Sequence, residues 1–166
     1  MNLKLLFLTV GFSGLSPKAP GTVGTAVSLL FGVFFLTILS NLSLFLLTIL
    51  VTIFAIKVID SYEKESGEHD QSFIVIDELA GIWLALSLSI GDKIVISELT
   101  LNSPITWQII LSFILFRLFD IWKPSIIGRV DRDVKGGLGV MGDDLIAGVV
   151  AGLLTALIVN FAGEVL

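Results

Sequence analysis

Cysteine is absent from this chain, which excludes disulfides, thiol catalysis and thiolate metal ligands. Carboxylates are left as the metal-binding groups, and their oxygens favour hard ions such as Mg²⁺. Charge is scarce as well: 15% of the 166 residues are Asp, Glu, Lys or Arg, whereas a soluble domain carries about one quarter. The formal charge of −5 comes without a basic stripe interleaved with aromatics, so no nucleic acid is expected as a partner. The single histidine, His69, is either a proton shuttle or an incidental loop residue. No internal repeat or low-complexity linker divides the sequence, and residues 1–166 read as one domain.

Apolar residues fill the chain instead: 55% of it is hydrophobic, and the mean hydropathy is +0.99. Gly21 to Ile56 contains no ionisable residue, and its length exceeds the about 20 residues of a single bilayer crossing. The polar break at Ser40 and Asn41 divides it into a tight hairpin of two spans, Thr22 to Leu39 and Leu42 to Ile59. Three further spans are expected at Phe73 to Ile90, Ile105 to Trp122 and Asp143 to Phe161, each with ionisable residues near an end. Leu3 to Val10 is too short to cross and reads as an interfacial or buried N-terminal helix. A chain of this size has little protein in which to bury five such helices. The expected fold is therefore all-α, a polytopic membrane bundle of about five spans. With five spans, one face collects nine of the ten Lys and Arg residues and the other holds only Lys93. The excess of basic residues on the cytoplasmic side then sets the N-terminus inside.

Acidic residues cluster at that same face: Asp60 with Glu63, Asp77 with Glu78, Asp120, and Asp143 with Asp144. Carboxylates beside long apolar runs are costly unless they hold a metal, pair with cations or do chemistry. Asp77 and Glu78 point about 100° apart on a helix, so adjacency alone does not bring both to one ion, and at least one is expected to bond elsewhere. Arg117 and Asp120 share a helical face, either as a neutralising ion pair or with Asp120 on a metal and Arg117 or Lys123 on a phosphate. Gly136 to Gly142 reads as a flexible loop bringing backbone close to a ligand, with Asp143 and Asp144 at the head of the last span, one of them a possible N-cap. Arg129, Asp131, Arg132, Asp133 and Lys135 alternate in sign and read as a surface loop or a contact with lipid headgroups. Near the start, Pro17 to Thr25 leads into a helix whose free N–H groups, with Lys18 beside them, suit a phosphate or else an ordinary Thr cap.

Four of these segments together resemble the phosphatidylglycerophosphatase A family: GFSGLSPKAPGTVGT, then HD followed by IVIDELAG, then FRLFDIWKP, then DRDVKGGLGVMGDDLIAG. They run in the family's order from Gly11 to Gly148. The resemblance implies a Mg²⁺-dependent phosphatase of the bacterial cytoplasmic membrane that converts phosphatidylglycerophosphate to phosphatidylglycerol and inorganic phosphate. On that reading Asp77, Glu78, Asp120, Asp143 and Asp144 are the metal ligands and catalytic acids, with Asp60 next. Lys18, Thr22, Thr25, Arg117 and Lys123 hold the substrate phosphate. The nucleophile is either water or an aspartate. Two other classes also place carboxylates among membrane helices: a lipid phosphotransferase of the CDP-alcohol type and a divalent-cation transporter. The first would show its own pattern of spaced Asp, Gly and Arg on one helix, which is not found, and the second would carry its acids along a path near midplane.

Overall fold

The computed structural model describes residues 3–67 and 71–165, the last three by their backbone alone. His69 and the neighbouring Asp70 lie outside the described residues. Among the described residues seven α-helices follow one another: α1 (Leu3–Leu8), α2 (Pro20–Ile38), α3 (Asn41–Ser66), α4 (Ile76–Ser89), α5 (Pro104–Trp122), α6 (Ile126–Asp133) and α7 (Gly136–Val165). No strand occurs among the described residues. Four of the helices, α2, α3, α5 and α7, are long and apolar enough to cross a membrane. They turn large apolar side chains outward, among them Leu30, Phe34, Leu50, Ile114 and Leu157, as a bundle solvated by lipid does.

The remaining expected span behaves differently. α4 has 14 residues, about 21 Å at 1.5 Å per residue, short of a hydrocarbon core of about 30 Å. Every residue in it except Asp77 and Leu88 is buried, because α7, α3, α2 and α5 all pack around it. The segment read as a fifth span is thus the central helix of the bundle. Its contact with α7 depends on small residues. A methyl group at Gly81 would stand 2.8 Å from the Asp144 carbonyl oxygen, and one at Gly148 would meet the Gly81 carbonyl. Close backbone approach of this kind is how helices associate in lipid.

The helix ends differ from the expected spans for identifiable reasons. Ser40 accepts a hydrogen bond from the Ser43 N–H at 3.2 Å and caps α3, so the hairpin turn falls at the polar break. α3 then runs seven residues beyond Ile59 and carries Asp60 and Glu63 on helical backbone. α7 begins at Gly136 rather than Asp143, so Gly136 to Gly142 form its first two turns instead of a flexible loop. Glycine is tolerated there because the space is taken: a Cβ on Gly137 would strike the backbone of Ile56. α1 lies against α3, where Lys4 bonds Glu65 at 2.5 Å and Ser61 at 3.1 Å. Leu8 in it is fully buried while Leu3 is 71% exposed.

Candidate active site

At the end of the bundle where α2 and α7 begin and α3 and α5 finish, a cavity of about 240 Å³ opens between α2, α4, α5, α6 and α7. That is smaller than the about 300–1,000 Å³ of most small-molecule sites, a volume for a headgroup rather than a diacyl lipid. All five proposed metal ligands line it: Asp77 and Glu78 from α4, Asp120 from α5, and Asp143 and Asp144 from α7. Oxygens of Asp77, Glu78 and Asp144 lie within 4.8 Å of one another. Asp77 and Glu78 reach a common point because a third carboxylate meets them there, and the expected bonding elsewhere is also present: Glu78 Oε1 faces Arg117, and Asp77 Oδ1 accepts the Glu78 N–H at 3.0 Å. α7 supplies the third carboxylate by crossing α4 at Gly81 and Gly148.

Glu78 Oε1 faces Arg117 at 3.8 Å, while its Oε2 is buried with no hydrogen-bond partner among the described residues. An orphaned carboxylate oxygen beside two further carboxylates is the donor set a hard divalent cation takes. Among the described residues six carboxyl groups line the cavity, counting Asp131, against Lys123 and the adjoining Arg117. Such an excess cannot stay ionised at close quarters without a cation or protons to offset it.

Arg117 sits beneath the acids, 15% exposed, bonded to Asp120 on its own helix and 3.4 Å from the Thr25 hydroxyl. The neutralising ion pair expected from the sequence is present, and it extends to α4 and α2. Lys123 bonds Asp143 at 2.8 Å and also Asp131. Burial works against its charge, but these two carboxylates outweigh that and hold its pKa above the ordinary lysine value. Pro20 and Gly21, at the start of α2, also face the cavity, and the N–H groups of a first helical turn have no partner within the helix.

Other expected site residues lie elsewhere. Asp60 lies outside the cavity and accepts a hydrogen bond from the Gly137 N–H at 2.7 Å. It therefore caps α7 from a neighbouring helix, and neither Asp143 nor Asp144 serves as that cap. Thr25 is buried and bonds the Gly21 carbonyl. Lys18 and Thr22 are exposed and do not line the cavity. Asp131, Gln71 and Ser72 do line it, and sequence reasoning passed over all three. Asp131 was hidden in an alternating charge run, and only the fold of the α5–α6 link turns it inward.

These helices and the carboxylate chamber at their end define a polytopic membrane helix bundle with a polar site built mainly from acids. The chain belongs to the phosphatidylglycerophosphatase A family, whose sequence model matches residues 6–159, and it is accordingly a phosphatase. A phosphatidylglycerophosphatase A from Escherichia coli is 37% identical over 89% of this chain and 79% of its own length. One from Haemophilus influenzae is 34% identical over 87% and 82%. A protein from Bacteroides thetaiotaomicron, provisionally named a phosphatidylinositol-3-phosphatase, is 35% identical over 91% of both chains. No solved structure matches the chain.

Proposed function

We propose that this chain hydrolyses the terminal phosphomonoester of phosphatidylglycerophosphate, releasing phosphatidylglycerol and inorganic phosphate, with Mg²⁺ as cofactor. Family membership supports the reaction. The observation that carries the cofactor is the convergence of Asp77, Glu78 and Asp144, with the Glu78 Oε2 left unpartnered. A phosphate monoester would be repelled from a chamber lined by these carboxyl groups unless a cation intervened.

Asp77, Glu78 and Asp144 would hold the ion, with Asp120 and Asp143 beside them. When bound, a divalent cation offsets charge on phosphoryl oxygens and acidifies water. The chain's own residues do the rest. Arg117 is fixed by Asp120, Glu78 and Thr25, so its guanidinium keeps those two carboxylates in place. Lys123 presents an ammonium at the cavity rim, and the start of α2 offers backbone N–H groups to an anion. The small cavity admits the headgroup while the acyl chains stay among the apolar outer faces of the bundle.

The membrane is read as the bacterial inner membrane, with the chamber facing the cytoplasm. Nine of the ten basic residues stand at the chamber end, and such residues favour the cytoplasmic side. The relative from Bacteroides favours a second headgroup, phosphatidylinositol 3-phosphate, within the same chemistry. Phosphate release by purified protein in detergent, from each lipid in turn, tests the reading. Phosphatidylglycerophosphate should be turned over, activity should vanish with chelator and return with Mg²⁺, and Ca²⁺, which prefers longer bonds and more ligands, should substitute poorly. Release from phosphatidylinositol 3-phosphate alone would overturn the headgroup assignment, and full activity without metal would overturn the cofactor.

A further inference from the structure

Lys123 occupies an unusual place. It ends α5 in the left-handed region, at φ 47°, and two residues on Ser125 has φ 50° and ψ −112°. Two non-glycine residues with positive φ so close together are kept only where surrounding packing over-determines them. Here α6 does so: its Gly128 lies so near the Lys123 carbonyl that any side chain would strike it, and the Ile127 N–H bonds the Pro124 carbonyl at 3.1 Å. α6 in turn meets α7 where Val130 packs on Gly142, a Cβ on the glycine falling 3.0 Å from the valine methyl. The next residue along each helix is an aspartate, Asp131 and Asp143, and the Lys123 ammonium is bonded to both.

The two carboxylates differ. Asp143 is 6% exposed and belongs to the acid set of the chamber, whereas Asp131 is 33% exposed and stands at the rim. With Asp143 as its one partner, the lysine would fold down onto it, neutralising an acid of the chamber and withdrawing the ammonium from the mouth. Shared with Asp131, it stays at the rim. We propose that Asp131 is a positioning residue, holding the Lys123 ammonium at the mouth of the cavity where the substrate's phosphate is received. This deepens the phosphatase reading and rests on it. The ammonium has three N–H donors, so Lys123 takes the phosphate with the third while Asp131 and Asp143 keep it at the rim. A long, mobile lysine needs such a second anchor, because its point charge has no geometry of its own.

The test measures KM and kcat for the lipid phosphomonoester, with binding of inorganic phosphate to the Mg²⁺-loaded full chain followed by calorimetry. Asp131→Asn should raise KM and weaken phosphate binding by about two- to fivefold, the scale of a partly exposed charge pair, with a smaller effect on kcat. Asp131→Glu should restore most of the loss. In a Lys123→Met or Lys123→Gln background the same Asp131→Asn change should add nothing, because the residue acts through the lysine. Tighter phosphate binding in Asp131→Asn would mean that this carboxylate merely repels the anion. An equal loss with and without Lys123, or a drop in kcat and melting temperature with KM unchanged, would also overturn the proposal. Phosphate binding needs no turnover, so a wild type inactive on both lipids would refute the reaction while still reporting on Asp131.

Discussion

Asp60 on α3 accepts the backbone N–H of Gly137 at 2.7 Å and so closes the open end of α7 from a different helix. The first N–H groups of a helix have no partner within it, and a side-chain acceptor is worth about 0.5–2 kcal/mol. The contact also fixes where α7 begins, and through it the depth at which Asp143 and Asp144 stand. Asp60→Ala should therefore lower the melting temperature in detergent and reduce activity in proportion to the folded fraction, while Asp60→Asn keeps most of both. Total loss of turnover in a fully folded Asp60→Asn protein would place Asp60 in the chemistry instead.

A sharper response is expected inside the chamber. Asp77→Asn, Asp120→Asn and Asp144→Asn keep the side-chain shape but remove a negative charge from the converging set. Each should abolish most phosphate release from a protein that still extracts and sediments as wild type. Glu65→Gln, at the exposed pair with Lys4, should change activity less than twofold, in line with the small worth of surface ion pairs. Equal damage at position 65 would show that the acids have been divided wrongly.

The α4–α7 crossing gives a test of geometry without touching an ionisable group. Side chains added at Gly148 would collide with the Gly81 backbone, and overpacking of a tight contact costs about 1–3 kcal/mol. Gly148→Val should push α7 away from α4 and separate Asp144 from Glu78. Displacement by about 1 Å costs about a hundredfold in rate. The same change at exposed Ala162 should be mild. Unaltered kcat in Gly148→Val would mean that the crossing does not set the carboxylate spacing.

Sidedness can be read with single cysteines, since the native chain has none. Positions 66 and 125 stand at the chamber end, and Ser97 lies in the α4–α5 connection at the other. Ser66→Cys and Ser125→Cys should resist an impermeant thiol reagent in intact cells and react in inverted vesicles, and Ser97→Cys should do the reverse. Labelling of position 66 or 125 from outside would put the chamber on the opposite face of the membrane.

Much of this was legible in the sequence. Uncharged runs marked α2 and α3, and Ser40 with Asn41 marked their turn, because hydropathy and capping are local properties. The acids of the chamber stood out because carboxylates beside apolar helices are rare. Local rules failed where packing decided the outcome. Gly136 to Gly142 looks like a loop by propensity, yet the nearness of α3 makes small residues the ones that fit a helix there. Asp60 was grouped with the chamber acids, and its bond to a backbone N–H 77 residues away in sequence is one that no spacing rule reveals. Helical projection separates Asp77 from Glu78 and rightly has one of them bond elsewhere, but it says nothing of a third carboxylate arriving on another helix to meet both. Asp131 depended on a link with positive φ at Lys123 and Ser125, which no residue in that stretch announces.

The enclosure of α4 has a consequence for how the protein meets membranes of changing composition. Helices in contact with lipid tilt or shift as bilayer thickness varies. α4 exposes little beyond Leu88, so no acyl chain pulls on the helix that carries Asp77 and Glu78. The outer helices absorb the mismatch while their close contacts with α4 hold the acids in register. A cell that lengthens or unsaturates its fatty acids with temperature can thus alter the solvent around this phosphatase without detuning its chamber.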